Sequence, residues 1–170
     1  HARRGRTVNV DYLVLAARIP QELAELKQTI SRAERANVAA KKQVGDADLY
    51  IDAIALNLHD FYTGLERVFR QIVTTVDRSM PSSEAWHRDL LRQMCVELPG
   101  IRPQVLTDTT CATLDEFLRF RHVVRNVYAF QLDGDRVSRL TVEARTVLEQ
   151  IHFELMKFVI FLEQTGQETA

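Results

Sequence analysis

The stretch "FLRFRHVVRNVYAF", residues 117–130, concentrates groups suited to chemistry on phosphate esters. On a helix, Arg121, Arg125 and Tyr128 fall at i, i+4 and i+7, with His122 and Asn126 at i and i+4 beside them. Phe117, Phe120, Val124 and Val127 take the steps of three and four that make a buried stripe. The spacing therefore predicts a polar face of two arginines, a histidine, an asparagine and a tyrosine, with Arg119, Arg136 and Arg139 nearby in sequence. Guanidinium forks match phosphate oxygens two at a time. A Tyr or His ring stacks on a base, and a histidine near its free pKa carries protons. Metal-free cleavage of RNA needs a group to take the 2′-OH proton, a group to protonate the leaving oxygen, and cations on the phosphorane. One face rarely completes that set, whereas two copies across a two-fold axis can. The competing reading of the same residues is a solvated face laced with salt bridges.

Other titratable groups read more simply. Glu66 and Arg70 have the i, i+4 spacing of a helix ion pair, and they can also line a cleft opposite Arg121. Glu84 with His87, and Glu149 with His152, fit the Glu-x-x-His spacing of di-iron bundles. Glu84 falls in a helix's first turn, where a carboxylate already favours the dipole. Glu116, a further ligand such a site would need, fits a capping box with Thr113. No metal site is expected. Trp86 and His87 read as packing a helix start against a neighbour, and His59, followed by Asp60, as a hydrogen-bonded structural histidine. No Gly-rich phosphate loop, nucleophile elbow or dinucleotide fingerprint is present, so no cofactor is expected.

The elements that must position these groups are helical. The 170 residues suit one domain with a real core. Six Gly and four Pro argue against a turn-rich all-β fold and long disorder. The net charge of −1 excludes a polyelectrolyte binder, so any nucleic-acid site must be a local cluster. No apolar run approaches a membrane span. Cys95 and Cys111 have neither CxxC nor zinc spacing and read as free thiols in a reducing cytosol, which implies a cytoplasmic location. Five helices are expected. The first starts near Pro20 and stops before Gly45; the second is capped by Asp46 or Asp48 and runs through Val76; the third is capped by Ser82 or Ser83. The fourth is capped by Thr113 and ends at "LDGD", and the fifth covers roughly 141–164, with Gly166 after its end. Residues 1–18 read as a disordered or tag-derived segment, 19–165 as the helical domain and 166–170 as a tail. Long antiparallel helices with short joints make an all-α bundle.

The fourth helix resembles the signature helix of the HepT-like toxins of the HEPN superfamily. That motif is Arg, four residues, His, any residue, Tyr, and here Arg121 is followed by four residues, then Asn126, Val127 and Tyr128. His122 fits the polar position after the motif arginine. The segments "LHDFYTGLERVFRQI", "WHRDLLRQM", "IRP" and "LRFRHVVRNVYAFQLD" are similar too, in that order, so the likeness spans roughly residues 20–163. The resemblance implies an all-α, HEPN-like, symmetric homodimer that cuts RNA without a metal. It implies a partner, a nucleotidyltransferase antitoxin of the MNT type, that moves AMP from ATP onto Tyr128. It also implies that Arg121 binds the scissile phosphate and that Arg119, Arg125 and Tyr128 contact RNA. Asn126 departs from the pattern, since an amide transfers no proton at neutral pH. Three readings stay open: His122 does the proton work while Asn126 orients the substrate; the protein is a binding-competent but catalytically weak member; or the chain is an inactivated variant. The alternative function, from another class, is a non-catalytic helical dimer that binds a nucleotide or a nucleotidyltransferase.

Overall fold

A computed structural model describes residues 7–126 and 131–168 as five helices: α1 (Val10–Lys42), α2 (Ala47–Ile72), α3 (Trp86–Met94), α4 (Asp108–Asn126) and α5 (Gly134–Glu168). The all-α bundle expected from the sequence is the fold, and among the described residues no strand forms. The long helices α1, α2 and α5 pack along one another, with α4 laid against α2 and α5 and the short α3 against α2 and α4.

The first helix begins at Val10, not near Pro20, so residues 10–18 are helix rather than a ragged terminus. Leu15, Ala16, Ile19, Leu23, Leu26 and Ile30 form one buried stripe that continues straight through the proline. Burial of that stripe outweighs the hydrogen bond and clash that Pro20 costs. Asn9 caps the helix, its Oδ1 accepting from Tyr12 N at 3.2 Å, and Asn9 N donates to the Gly166 carbonyl at 2.8 Å. That contact holds Gly166 inside α5, which runs on to Glu168 instead of stopping before the glycine. A Cβ at Gly166 would meet Leu13 Cδ2 at 2.9 Å and the Asn9 carbonyl at 3.3 Å, so a larger residue there would require the Leu13 side chain to shift.

Three caps also differ from expectation. Asp46 precedes α2 without a side-chain capping bond, because a 3-10 turn, Val44–Asp46, leads into the helix. The N-cap of α3 is Ala85, without a side-chain capping bond, rather than Ser82 or Ser83; Ser83 lies two residues before it, accepting from Ala85 N at 3.2 Å and donating to Asp89 at 2.7 Å. Helix α4 starts at Asp108, not after Thr113. Thr107 Oγ1 accepts from Thr110 N at 3.4 Å, and Glu154 of α5 accepts from Thr107 N and Thr110 Oγ1. Thr113 is one turn inside, its hydroxyl returned to the Thr109 carbonyl at 3.2 Å, and Glu116 pairs with Arg139 at 3.3 Å instead of closing a capping box. The fifth helix begins at Gly134, earlier than residue 141, with Asp133 Oδ1 accepting from Asp135 N at 3.0 Å.

Two links fix the α3–α4 connection. Arg102 is 3 % exposed, and its guanidinium donates to Asp77 at 2.6 and 2.9 Å and to the carbonyls of Gln93, Val96 and Pro103. Those five bonds match its five N–H donors. Cys95, at the end of α3, is bonded to Cys111 in α4, with Cα atoms 6.3 Å apart. This corrects the free-thiol expectation: the fold brings together two cysteines that sequence spacing leaves unrelated. Among the described residues no helix is long and apolar enough to cross a membrane.

Candidate functional site

Helices α2, α3 and α4 each turn titratable side chains to one place. From α2 comes Glu66, 5 % exposed; from α4 comes Arg121, also 5 % exposed. Arg121 Nη2 lies 3.8 Å from Glu66 Oε1, an ion pair too long for a hydrogen bond. From α3 comes His87, whose Nδ1 is 2.6 Å from Glu66 Oε2. A carboxylate can only accept, so Nδ1 carries the proton. The His122 ring stands 5.8 Å from the His87 ring, edge to face.

The burial of Arg121 revises the polar face expected of α4. Leu114 and Leu118 are buried at i−7 and i−3 from Arg121, alongside the Phe117–Phe120 stripe. The inward surface of α4 is therefore wide, and Arg121 continues it. The guanidinium enters the interior with Nε and Nη1 bonded to nothing among the described residues. Tyr62, a turn before Glu66 on α2, is fully buried with its hydroxyl unpartnered. Burial, with Glu66 adding to it, pushes that phenol above its ordinary pKa. Buried polar atoms in native folds are nearly always satisfied. Arg102 and Arg121 thus stand in opposite states: one has every donor engaged, the other has two donors unpaired and enclosed beside a buried acid.

His122 is exposed at the edge of this cluster. Desolvation, then the positive charge of Arg121 and the neighbouring His87, hold its pKa below the ordinary imidazole value. The ring is therefore neutral at neutral pH, the state a general base requires. Asn126 is exposed, and its Nδ2 donates to the His122 carbonyl at 2.7 Å, one turn back on its own helix.

The remaining arginines divide. Arg119 pairs with Asp115 at 2.6 Å and Arg139 with Glu116 and Glu143, as on a solvated face. Arg136 lies over the Phe120 ring. Arg125 is exposed with no ion pair among the described residues. The i, i+4 pair of Glu66 with Arg70 does not form: Glu66 turns to α3 and α4, and Arg70 lies 5.5 Å over the Trp86 ring. Tyr128 lies outside the described residues.

His87 is the residue that reading by type misses. Type suggests packing at a helix start, and the ring does stack on Trp86, with ring centres 3.6 Å apart. Its position carries a further signal: Leu90, Leu91 and Met94, all buried, stand at i+3, i+4 and i+7, so His87 shares the inward face of α3.

The family model described as HepT-like protein matches residues 53–162, well over half of the chain and every residue of this cluster. The chain belongs to the HepT-like family. No curated protein and no solved structure matches it. The matched span of this HepT-like protein, a HEPN-superfamily chain, opens within α2 and closes within α5, so α1 lies outside it. That helix is bound to the rest by its buried stripe and by Arg145 of α5, which pairs with Glu34 and donates to Ser31 at 3.1 Å.

Proposed function

We propose that this HepT-like protein is the toxin of a type VII toxin–antitoxin pair, a dimeric, metal-independent endoribonuclease silenced by AMPylation of Tyr128. The observation that carries the reading is Arg121. Arg121 is a buried guanidinium whose Nε and Nη1 lack hydrogen-bond partners, and a phosphodiester oxygen admitted to them by a side-chain movement would satisfy them with charge-assisted bonds. His122, neutral beside it, takes the 2′-OH proton, and exposed Arg125 adds charge for the RNA backbone. Incubation of the purified protein with a labelled RNA tests this directly, and intact RNA across a range of sequences would sink it.

Silencing follows from the same electrostatics. The Tyr128 oxygen attacks the α-phosphorus of ATP on an MNT-type nucleotidyltransferase, the new O–P bond forms, pyrophosphate leaves, and the phenol proton passes to solvent. An adenylyl group on Tyr128, seven residues after Arg121 and three after Arg125 in sequence, adds bulk and negative charge that would compete with RNA for those cations. With the partner enzyme and ATP, the parent protein is expected to gain one or more adenylyl groups by mass spectrometry and Tyr128→Phe none. Equal labelling of Tyr128→Phe excludes that tyrosine as the acceptor.

One observation favours a second reading, a non-catalytic dimer that binds a nucleotide or the nucleotidyltransferase. Asn126, at the motif histidine position, spends an amide proton on its own helix. Asn126→His decides between them. A modest gain over a measurable parent rate fits the ribonuclease. Cleavage that appears from nothing marks the present chain as a binder.

A further inference from the structure

A second imidazole faces the cluster from α3, away from the motif helix. We propose that His87, oriented by Glu66, is the catalytic acid that protonates the leaving oxygen, with His122 as the base; this rests on the ribonuclease reading above. The geometry supplies what that role requires. Glu66, 6 % exposed at its side chain, accepts from Nδ1 at 2.6 Å and fixes the tautomer. Nε2 is then the nitrogen left to meet a substrate, and it makes no hydrogen bond among the described residues. As the acid the ring carries a proton on each nitrogen, the Nδ1–H engaged by Glu66 and the Nε2–H free to be donated. Trp86 stacks on the imidazole, and Arg70 lies over Trp86, so the ring is held by stacking as well as by Glu66. The separation of 5.8 Å from the His122 ring lets one phosphodiester touch both.

The step balances without any other reactant. His122 takes the 2′-OH proton, and the O2′–P bond forms. The P–O5′ bond breaks, and O5′ takes the proton from His87 Nε2. The products are a 2′,3′-cyclic phosphate and a free 5′-hydroxyl, and both rings reset by exchange with water. Arg121, 3.8 Å from the same Glu66, is placed for the charge that builds on the phosphorane.

The test compares two substrates on His87→Gln, whose amide can still donate to Glu66. An RNA oligonucleotide needs an acid at its leaving alkoxide. Uridine 3′-(4-nitrophenyl phosphate) releases a stable phenolate and does not. RNA cleavage is expected to fall by about 10²- to 10⁴-fold, while cleavage of the activated ester stays within a few-fold of the parent. Added imidazole is expected to restore RNA cleavage to His87→Ala, an effect that loss of a purely structural residue would not show. Equal losses on both substrates by a folded His87→Gln overturn the acid role, and so does undiminished RNA cleavage. A parent that cleaves neither substrate overturns the ribonuclease reading itself and this proposal with it.

Discussion

Arg121→Met is expected to abolish RNA cleavage and to leave the protein as stable as the parent or more so. The two halves of that result have one cause. Arg121 sits 5 % exposed with Nε and Nη1 unsatisfied, and the charged partner it meets is Glu66 at 3.8 Å. A buried charge without hydrogen bonds opposes folding, and a well-packed apolar residue of similar volume in place of buried ionic groups is often neutral or stabilising by about 1–4 kcal/mol. Glu66 would not be stranded, because His87 remains at 2.6 Å. The same unpaired donors, once a side-chain movement uncovers them, are what a phosphorane would use, and removing one such electrostatic contact costs about 10²- to 10³-fold in rate. The pair of measurements is a gel assay on labelled RNA and a thermal melt. If Arg121→Met still cuts RNA at the parent rate, Arg121 has no part in the mechanism. If it melts far below the parent, Arg121 is a structural residue.

The opposite outcome is expected at the other buried arginine. Arg102→Met leaves Asp77, 1 % exposed at its side chain, as an uncompensated charge. It also strips donors from the carbonyls of Gln93, Val96 and Pro103. Removing one member of such a pair costs about 3–5 kcal/mol, which for a domain of this size is a fall in Tm of roughly 6–20 °C. Calorimetry on Arg102→Met and on Arg102→Met with Asp77→Leu measures it, and the second change should return part of the loss because it removes the stranded carboxylate. A melt within a degree or two of the parent would show that the connection is held by other means. Activity should fall only as far as the folded fraction does, which separates Arg102 from Arg121.

The contrast explains what can be read from the chain alone. The helices and their buried stripes are legible because apolar spacing is a repeated signal: Ile54, Leu58, Phe61, Leu65, Val68 and Ile72 of α2, and Leu148, Ile151, Leu155, Phe158 and Leu162 of α5, recur at steps of three and four and are buried. Helix ends are less so. Pro20 and Thr113 are single residues whose local preferences lose to burial of the α1 stripe and to Glu154 reaching Thr107 and Thr110 from α5. Spacing finds the motif arginine but not its burial, because residue type places arginine in water while Leu114 and Leu118 place position 121 inside. Glu66 and His87 lie 21 residues apart on different helices, and only the packing of α3 on α2 makes them a pair. Cys95 and Cys111 pair for the same reason, through the packing of α3 on α4.

That last bond also changes what a cut in the backbone would mean. Glu97, Pro99, Gly100 and Ile101 are exposed positions of the connection, the natural place for a protease to enter. The bond spans 16 positions and encloses all of them. A chain nicked there would become two polypeptides that stay one molecule, the fragment carrying Glu66 and His87 still tethered to the fragment carrying Arg121 and His122.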